Sequence, residues 1–354
     1  MRIDRILIAA SFFLLVCSRN PNPVAVRSFF PEAQKQNIDA DLLAEAYSAA
    51  ESIQGMKSLL VGRNGVLAAE RYFNGQGPDS LHDVRSVTKS VVSILIGIAI
   101  DRGFIKSVDQ PIGDFLNPIV DNLDPVKSQI TLRQLLTMSG GFEWAKFGDW
   151  SEYSRWSAAP DQIAYVLNQR LIHAPGQVFN YNDGASHLLS VILSRACGLS
   201  TLDFAEKCLF EPLGIPRRPW AVDKQEFNKG CVALQLTARD MIKLGMLFLQ
   251  NGTFEGRTVV SPEWVRASTH ASIRTGLTVP YGSAYGFLWW IDSAHSRDFY
   301  YANGYGGQFI FNVPGLNFTA VATCDWRSPS DAQANDHWYR VISLIVDTLL
   351  PAVR

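Results

Sequence analysis

Residues 91–100 carry no charge and only one polar side chain, Ser93. A helix that is apolar on every side has to be enclosed by protein, so this stretch predicts a long buried helix. Directly before it stands Arg85-Ser86-Val87-Thr88-Lys89-Ser90, which holds the chain's only Ser-x-x-Lys. Residues three apart share a helix face, so the Ser86 hydroxyl and the Lys89 amine are expected to point into one space. A serine becomes an effective nucleophile when a nearby base takes its proton, and a lysine can be that base. Burial of the lysine stem is expected to lower its pKa towards the useful range. Alone, the pattern is weak, because two fixed residues recur by chance about once in a chain of this size. Partners elsewhere have to carry the case.

The chain has 354 residues, 47% apolar and 18% charged, with a formal net charge of -1. It can bury a large core, and no basic run points to nucleic acid as a partner. The first five residues include two arginines, and residues 6–17 are apolar apart from Ser11. That stretch is short for a bilayer span and fits a secretory signal, so export to the periplasm or beyond is expected. The expected division is a signal peptide at 1–19, a linker at 20–36 and a single domain at 37–354. An uncleaved N-terminal anchor is the alternative. Cys17 also suggests lipidation, although Val16 stands where a small residue is normal before such a cysteine. Cys197, Cys208, Cys231 and Cys324 show no metal-ligand spacing; four cysteines allow three pairings, and free buried thiols are favoured over them.

Along the domain, a helix is predicted at 39–54 and a hairpin at 57–73, turning at Asn64-Gly65, since Asn-Gly supplies the positive φ angles of a two-residue turn. The segment 106–282 reads as mostly helical, with helices at 130–138, 160–170, 185–197, 202–210 and 238–250. Aromatic and β-branched residues mark strands at 285–291, 298–302, 308–313 and 318–323, before a last helix at 332–349. Strands at both ends and helices between them predict an α+β fold: one antiparallel sheet built from both ends of the chain, flanked by helices, beside an inserted all-α region. The cleft between the two regions is the expected site.

Two segments supply partners for Ser86. In Ala174-Pro-Gly-Gln-Val-Phe-Asn-Tyr-Asn-Asp-Gly184, a turn and a short extended piece lead into a helix, which places Tyr181 on a loop facing the cleft. A phenol there can act as general base or proton relay, whereas by itself a loop tyrosine is more often a packing residue. In Tyr301-Ala-Asn-Gly-Tyr-Gly-Gly-Gln308, glycines at a strand edge admit a close backbone approach, and an N–H could join that of Ser86 around an oxyanion. A plain β-turn explains the same residues.

Together these pieces resemble the serine β-lactamase and penicillin-binding-protein superfamily. The nearest branch is that of the class C β-lactamase-related hydrolases, which includes esterases, D-amino-acid peptidases and 6-aminohexanoate-dimer hydrolases. The likeness runs from the hairpin to the C-terminal helix. It includes Ile-Thr-Leu-Arg-Gln-Leu-Leu-Thr-Met-Ser-Gly-Gly from Ile130, Leu-Phe-Glu-Pro-Leu-Gly-Ile from Leu209, Leu-Thr-Ala-Arg-Asp-Met from Leu236 and Tyr-Gly-Phe-Leu-Trp-Trp from Tyr285. The resemblance implies Ser86 as acylated nucleophile, Lys89 as its base partner and Tyr181 as the tyrosine of a Tyr-x-Asn element. It sets Tyr305-Gly306-Gly307 in the place of a Lys-Thr-Gly strand, with the Gln308 N–H as second oxyanion donor. Two departures stand out. Asp183 replaces the Asn of the tyrosine element, and a carboxylate facing the site there would favour a charged Lys89. The strand lysine is absent, which disfavours penicillin hydrolysis and is easier to reconcile with neutral esters or amides.

The expected reaction is acyl transfer through Ser86 on a small-molecule ester or amide, with either Lys89 or Tyr181 as base, and with no metal, cofactor or obligatory protein partner. D,D-peptidase or weak β-lactamase activity, or non-catalytic binding on the same fold, are the alternatives. The six histidines, His82, His173, His187, His270, His295 and His337, lie in no nucleophile-elbow context, and no Gly-x-Ser-x-Gly occurs. Packing is the expected role for most of Trp144, Trp150, Trp156, Trp289 and Trp290.

Overall fold

The computed structural model describes residues 30–327 and 330–354. The expected signal peptide, Cys17 and the start of the expected linker lie outside the described residues. The end of that linker is not extended: Pro31–Lys35 is a short helix with Pro at its first turn, and its Ala33 is fully buried. Proline's missing N–H costs nothing at a helix start, where the first N–H groups have no intrahelical partner.

One eight-stranded antiparallel sheet organises the molecule. Its strands are β1 (Met56–Arg63), β2 (Val66–Tyr72), β3 (Ile273–Arg274), β4 (Ala284–Tyr285), β5 (Trp290–Ala294), β6 (Arg297–Gly304), β7 (Gln308–Val313) and β8 (Phe318–Cys324). Their order across the sheet is β2-β1-β8-β7-β6-β5-β4-β3, so N-terminal and C-terminal strands meet where Leu60 opposes Val321. The β1–β2 turn has Asn64 at φ 53° and Gly65 at φ 77°, as Asn-Gly promises. The expected strand at 285–291 is two strands, because Leu288 takes a φ of 62° and its N–H bonds to the Leu136 carbonyl.

Leu59, Leu60 and Val61 are all fully buried, although neighbouring side chains in a strand point to opposite faces. Both faces of the sheet are therefore covered. Helix α1 (Ala40–Ser52) packs on β1 with the C-terminal turns at Leu344–Leu349, while α4 (Ala238–Leu249) crosses β1, β7 and β8. The two longest helices between them are α2 (Val87–Asp101) and α3 (Asp183–Cys197), packed on each other, and α5 (Asp331–Ser343) leads into the C-terminal turns.

As its composition requires, α2 is buried along its length: every residue from Val87 to Ala99 is enclosed. Burying a Val, Leu or Ile side chain contributes about 1.5–3 kcal/mol, so α2 anchors the molecule and holds its own N-terminus still. Gly97 is where the enclosure is tightest; a Cβ there would lie 2.4 Å from the Trp264 ring. Alanine gains about 1 kcal/mol in helix propensity over glycine, yet this overlap has no flexible neighbour to relieve it. Gly97→Ala is expected to lower stability by about 1–3 kcal/mol in urea unfolding, and an unchanged or raised midpoint would contradict this packing.

Candidate active site

The approach to Ser86 is pinned from both sides. His82–Asp83 pairs with Gln235–Leu236, and the Val84 N–H donates to the Leu234 carbonyl at 3.0 Å. The Arg85 N–H then donates to Asp83 Oδ1 at 2.9 Å, and Arg85 takes a left-handed φ of 50°. A side chain in that region costs on the order of 1–2 kcal/mol, and here it turns the chain so that Ser86 caps α2. Neither the Ser86 N–H nor the Tyr305 N–H donates to a group among the described residues.

Lys89, one turn into α2, is 1% exposed. Its Nζ donates to Ser86 Oγ at 2.9 Å, to Asp183 Oδ1 at 2.7 Å and to the Cys231 carbonyl at 3.0 Å. Three hydrogens meet three acceptors, so the ammonium is fully satisfied. Burial works against its charge, as the sequence suggested, but the Asp183 carboxylate outweighs burial and holds its pKa above the ordinary lysine value. The expectation of a lowered lysine is thus corrected: Lys89 rests as an ammonium because the residue at the third position of the tyrosine element is a carboxylate facing it.

Tyr181 precedes α3, whose N-cap Asn182 accepts the Ala185 N–H at 2.9 Å. Its ring stacks on Trp290 at 5.9 Å, takes the edge of Phe147 at 5.3 Å and lies 4.9 Å from Lys89 Nζ. Burial raises the phenol's pKa; Lys89 and a hydrogen bond to Ser86 pull it back without cancelling the rise. The phenol is therefore neutral at rest and placed on the serine. Cys231 is kept a thiol, since burial pushes it up to about 12. Cys197, Cys208 and Cys324 are free as well, Cys197 only partly buried.

Ser86, Tyr181 and Asp183 open on a cleft of about 840 Å³ whose walls include Phe147, Trp150, Tyr153, Tyr305, Trp326 and Trp338. Of the tryptophans singled out in the sequence, Trp150 lines the cleft, Trp290 supports Tyr181, and Trp156 and Trp289 are buried packing residues. Trp326 and Trp338 are the ones the sequence did not signal, because each follows its strand or sits on a helix with no pattern to mark it.

The glycine segment is placed one step differently from expectation. Gly304 ends β6, and a Cβ on it would lie 2.4 Å from the Val84 carbonyl, so this residue packs against the serine loop. Tyr305 and Gly306 line the cleft, but Gly307 does not. Gln308 has already entered β7; its side chain is buried, donates to the Cys324 carbonyl at 2.8 Å, and borders a separate small recess with Lys57 and His82. Gly306 and Gly307, at φ 75° and 94°, turn the chain between Tyr305, which lines the cleft with Ser86, and Gln308, which does not.

Over residues 40–343 the chain matches the β-lactamase family model. It belongs to the β-lactamase family. Among curated proteins it is 25% identical over 316 residues to the 6-aminohexanoate-dimer hydrolase of Paenarthrobacter ureafaciens, covering 82% of this chain and 76% of that protein. Its fold superposes with a TM-score of 0.68 on the octameric penicillin-binding protein homologue from Pyrococcus abyssi, at 17% identity over 89% of this chain and 78% of that one. A penicillin-binding protein homologue from Caulobacter crescentus gives the same score at 18% identity, covering 88% and 99%.

Behind the lysine lies a second buried pair. His187 Nδ1 accepts the Gly230 N–H at 3.2 Å, which leaves Nε2 to donate to Asp223 Oδ2 at 2.8 Å. Both ring nitrogens are occupied away from Ser86, so His187 cannot serve as a serine's base. Instead it fixes the backbone one residue before the Cys231 carbonyl that Lys89 uses. Burial pushes the Asp223 pKa up, but His187 and the N–H groups of Phe227 and Gln225 bring it below the usual carboxylate value of 3.8. Such a group adds stability above its unfolded pKa and loses it as pH falls through the folded one. His187→Ala is expected to cost about 3 kcal/mol at neutral pH by leaving Asp223 buried and short of a donor. That difference, measured by urea unfolding, should shrink as pH drops below 3.8.

Proposed function

We propose that this protein is a serine hydrolase that cleaves an ester or amide through an acyl-enzyme on Ser86. The observation that carries the reading is the convergence of a serine, a buried lysine 2.9 Å from its Oγ and a neutral tyrosine at the mouth of one cleft. Membership in the β-lactamase family, and likeness to a curated 6-aminohexanoate-dimer hydrolase, support it.

At rest the site holds Ser86–OH, Lys89–NH₃⁺, Asp183–COO⁻ and Tyr181–OH. As Ser86 Oγ attacks the carbonyl, its proton passes to Lys89 while Lys89 passes one of its own to Asp183 across 2.7 Å. Asp183 becomes neutral, Lys89 keeps its charge, and the negative charge reappears on the carbonyl oxygen. No net charge is created in the dry site, which keeps the step from costing desolvation twice. The Ser86 and Tyr305 N–H groups hold the oxyanion. Tyr181 protonates the leaving group and is resupplied from Lys89; water then reverses the sequence to release the acyl group. The residues before Cys17, with two arginines and an apolar run, support export as the setting for this chemistry.

Incubation with a fluorophosphonate probe should add one adduct mass on Ser86 and none in Ser86→Ala, alongside turnover of p-nitrophenyl butyrate. Absence of both adduct and turnover across the pH range would instead favour a non-catalytic binding protein. Tyr181→Phe, which removes the relay but keeps the ring packing, is expected to lower kcat about 10²–10⁴-fold, the range for loss of general acid–base help.

A further inference from the structure

The end of β6 carries little to stiffen it. From Gly304 to Gly307 the only side chain is that of Tyr305, and Gly306 and Gly307 sit at φ 75° and 94°. Glycine restricts its backbone less than any other residue, so an N–H in such a segment keeps one direction only when something outside holds it. Two contacts from α5 reach this segment. Asp331, in the first turn of that helix, accepts the Tyr305 hydroxyl through Oδ1, and Trp338 Nε1 donates to Asn303 Oδ1 at 2.7 Å. Asp331, Asn335 and Trp338 all line the cleft, at the i, i+4, i+7 spacing of one helix face. The helix start is itself fixed, because the Ser330 hydroxyl caps it by accepting the Gln333 N–H at 3.3 Å. The Tyr305 ring also meets Trp150 edge to face, with centroids 5.8 Å apart. Burial and the Asp331 carboxylate both push the phenol's pKa up, so Tyr305 is the donor in that bond.

A hydrogen bond to a carboxylate is about twice as strong as one between neutral groups, which makes the Asp331 contact the firmer of the two. We propose that Asp331 is a positioning residue for the oxyanion: by holding the Tyr305 side chain from α5, it sets the direction in which the Tyr305 N–H points. This rests on Ser86 being the nucleophile and on the Tyr305 N–H being a donor to the oxyanion. Asp331 acts through one ring and one peptide rather than on the reacting atoms. Its effect falls on the tetrahedral state, because only there does the carbonyl oxygen carry the charge that the N–H meets. Gly304, packed against the Val84 carbonyl, ties the same peptide to the serine loop, so the donor is held from two directions.

The test compares p-nitrophenyl butyrate with its thiono counterpart, in which sulfur replaces the carbonyl oxygen. An N–H aimed at an oxyanion favours oxygen, since sulfur is larger and accepts hydrogen bonds weakly. The ratio of the two kcat/KM values therefore reports the donor's aim, while a general loss of activity in a variant cancels. The wild type is expected to favour the oxygen ester. Tyr305→Phe, which keeps the ring and the N–H, and Asp331→Ala should each shrink that ratio by about tenfold, a part of the roughly 10²–10³-fold that loss of a whole donor costs in kcat. With the oxygen ester the loss should appear in kcat rather than KM. Asp331→Asn, which still offers an acceptor, should keep part of the ratio. Both single variants break one and the same bond, so the double variant should fall no further than either. Fluorophosphonate labelling of Ser86 counts the competent sites in each preparation. A wild-type ratio near one, a ratio unmoved in Tyr305→Phe and Asp331→Ala, or losses that add in the double variant would each overturn the positioning role, while the Ser86 adduct leaves the hydrolase standing. No adduct and no turnover of either ester by the wild type would overturn the hydrolase and this role with it.

Discussion

The buried ion pair between Lys89 and Asp183 is the contact on which the rest of the site depends. It joins the first turn of α2 to the first turn of α3, and the third hydrogen of the ammonium reaches the Cys231 carbonyl on a separate loop. Three pieces of chain distant in sequence thus meet at one nitrogen. Removing either charge would leave the other enclosed and unpaired, which costs far more than the pair itself contributes. The pair is therefore a registry device as much as a source of stability. It sets Ser86 and Tyr181 at one distance from each other whatever the surrounding loops do.

Everything around that pair serves to keep it dry and still. Helix α2 is enclosed on all sides, Trp290 and Phe147 clamp Tyr181, and the His187–Asp223 pair holds the loop that offers the Cys231 carbonyl. The sheet contributes its end rather than its face: Gly304 allows β6 to come up against the Val84 carbonyl, which no larger residue would permit. A rigid frame carries Ser86, Lys89 and Tyr181, while the cleft walls above it, many of them aromatic or charged, come from several separate stretches of the chain. A frame of this kind can be shared within a family while the residues around its cleft differ.

Much of this was legible in the sequence for particular reasons. The apolar run at 91–100 could only be a buried helix, Asn64-Gly65 could only be a tight turn, and strand signals at both ends required a sheet joining them. Ser86 and Lys89 were expected to share one space because they stand three apart at a helix start, and Tyr181 because a turn and a short extended piece lead from it into another helix. Gln308 was expected to border the cleft, but Tyr305 and Gly306 line it and Gln308 does not, since Gly306 and Gly307 turn the chain between them and only the packing of Gly304 on Val84 selects how. Asp331 drew no notice of its own, because a charged residue at a helix start has no periodicity to interpret.

The sequence by itself determined most of the longer helices and strands, that the sheet is built largely from both ends of the chain, and that Ser86, Lys89 and Tyr181 share one region at the start of the central helix. These follow from local rules of spacing, turn chemistry and burial. Only the tertiary structure decided that Lys89 keeps its proton, because that depends on the Asp183 carboxylate lying 2.7 Å away rather than on lysine's own burial. It alone decided that Asp331 on the last helix meets the Tyr305 hydroxyl. Electrostatic and stacking energies depend on distances across the fold, and no distance between residues far apart in the chain is written in its order.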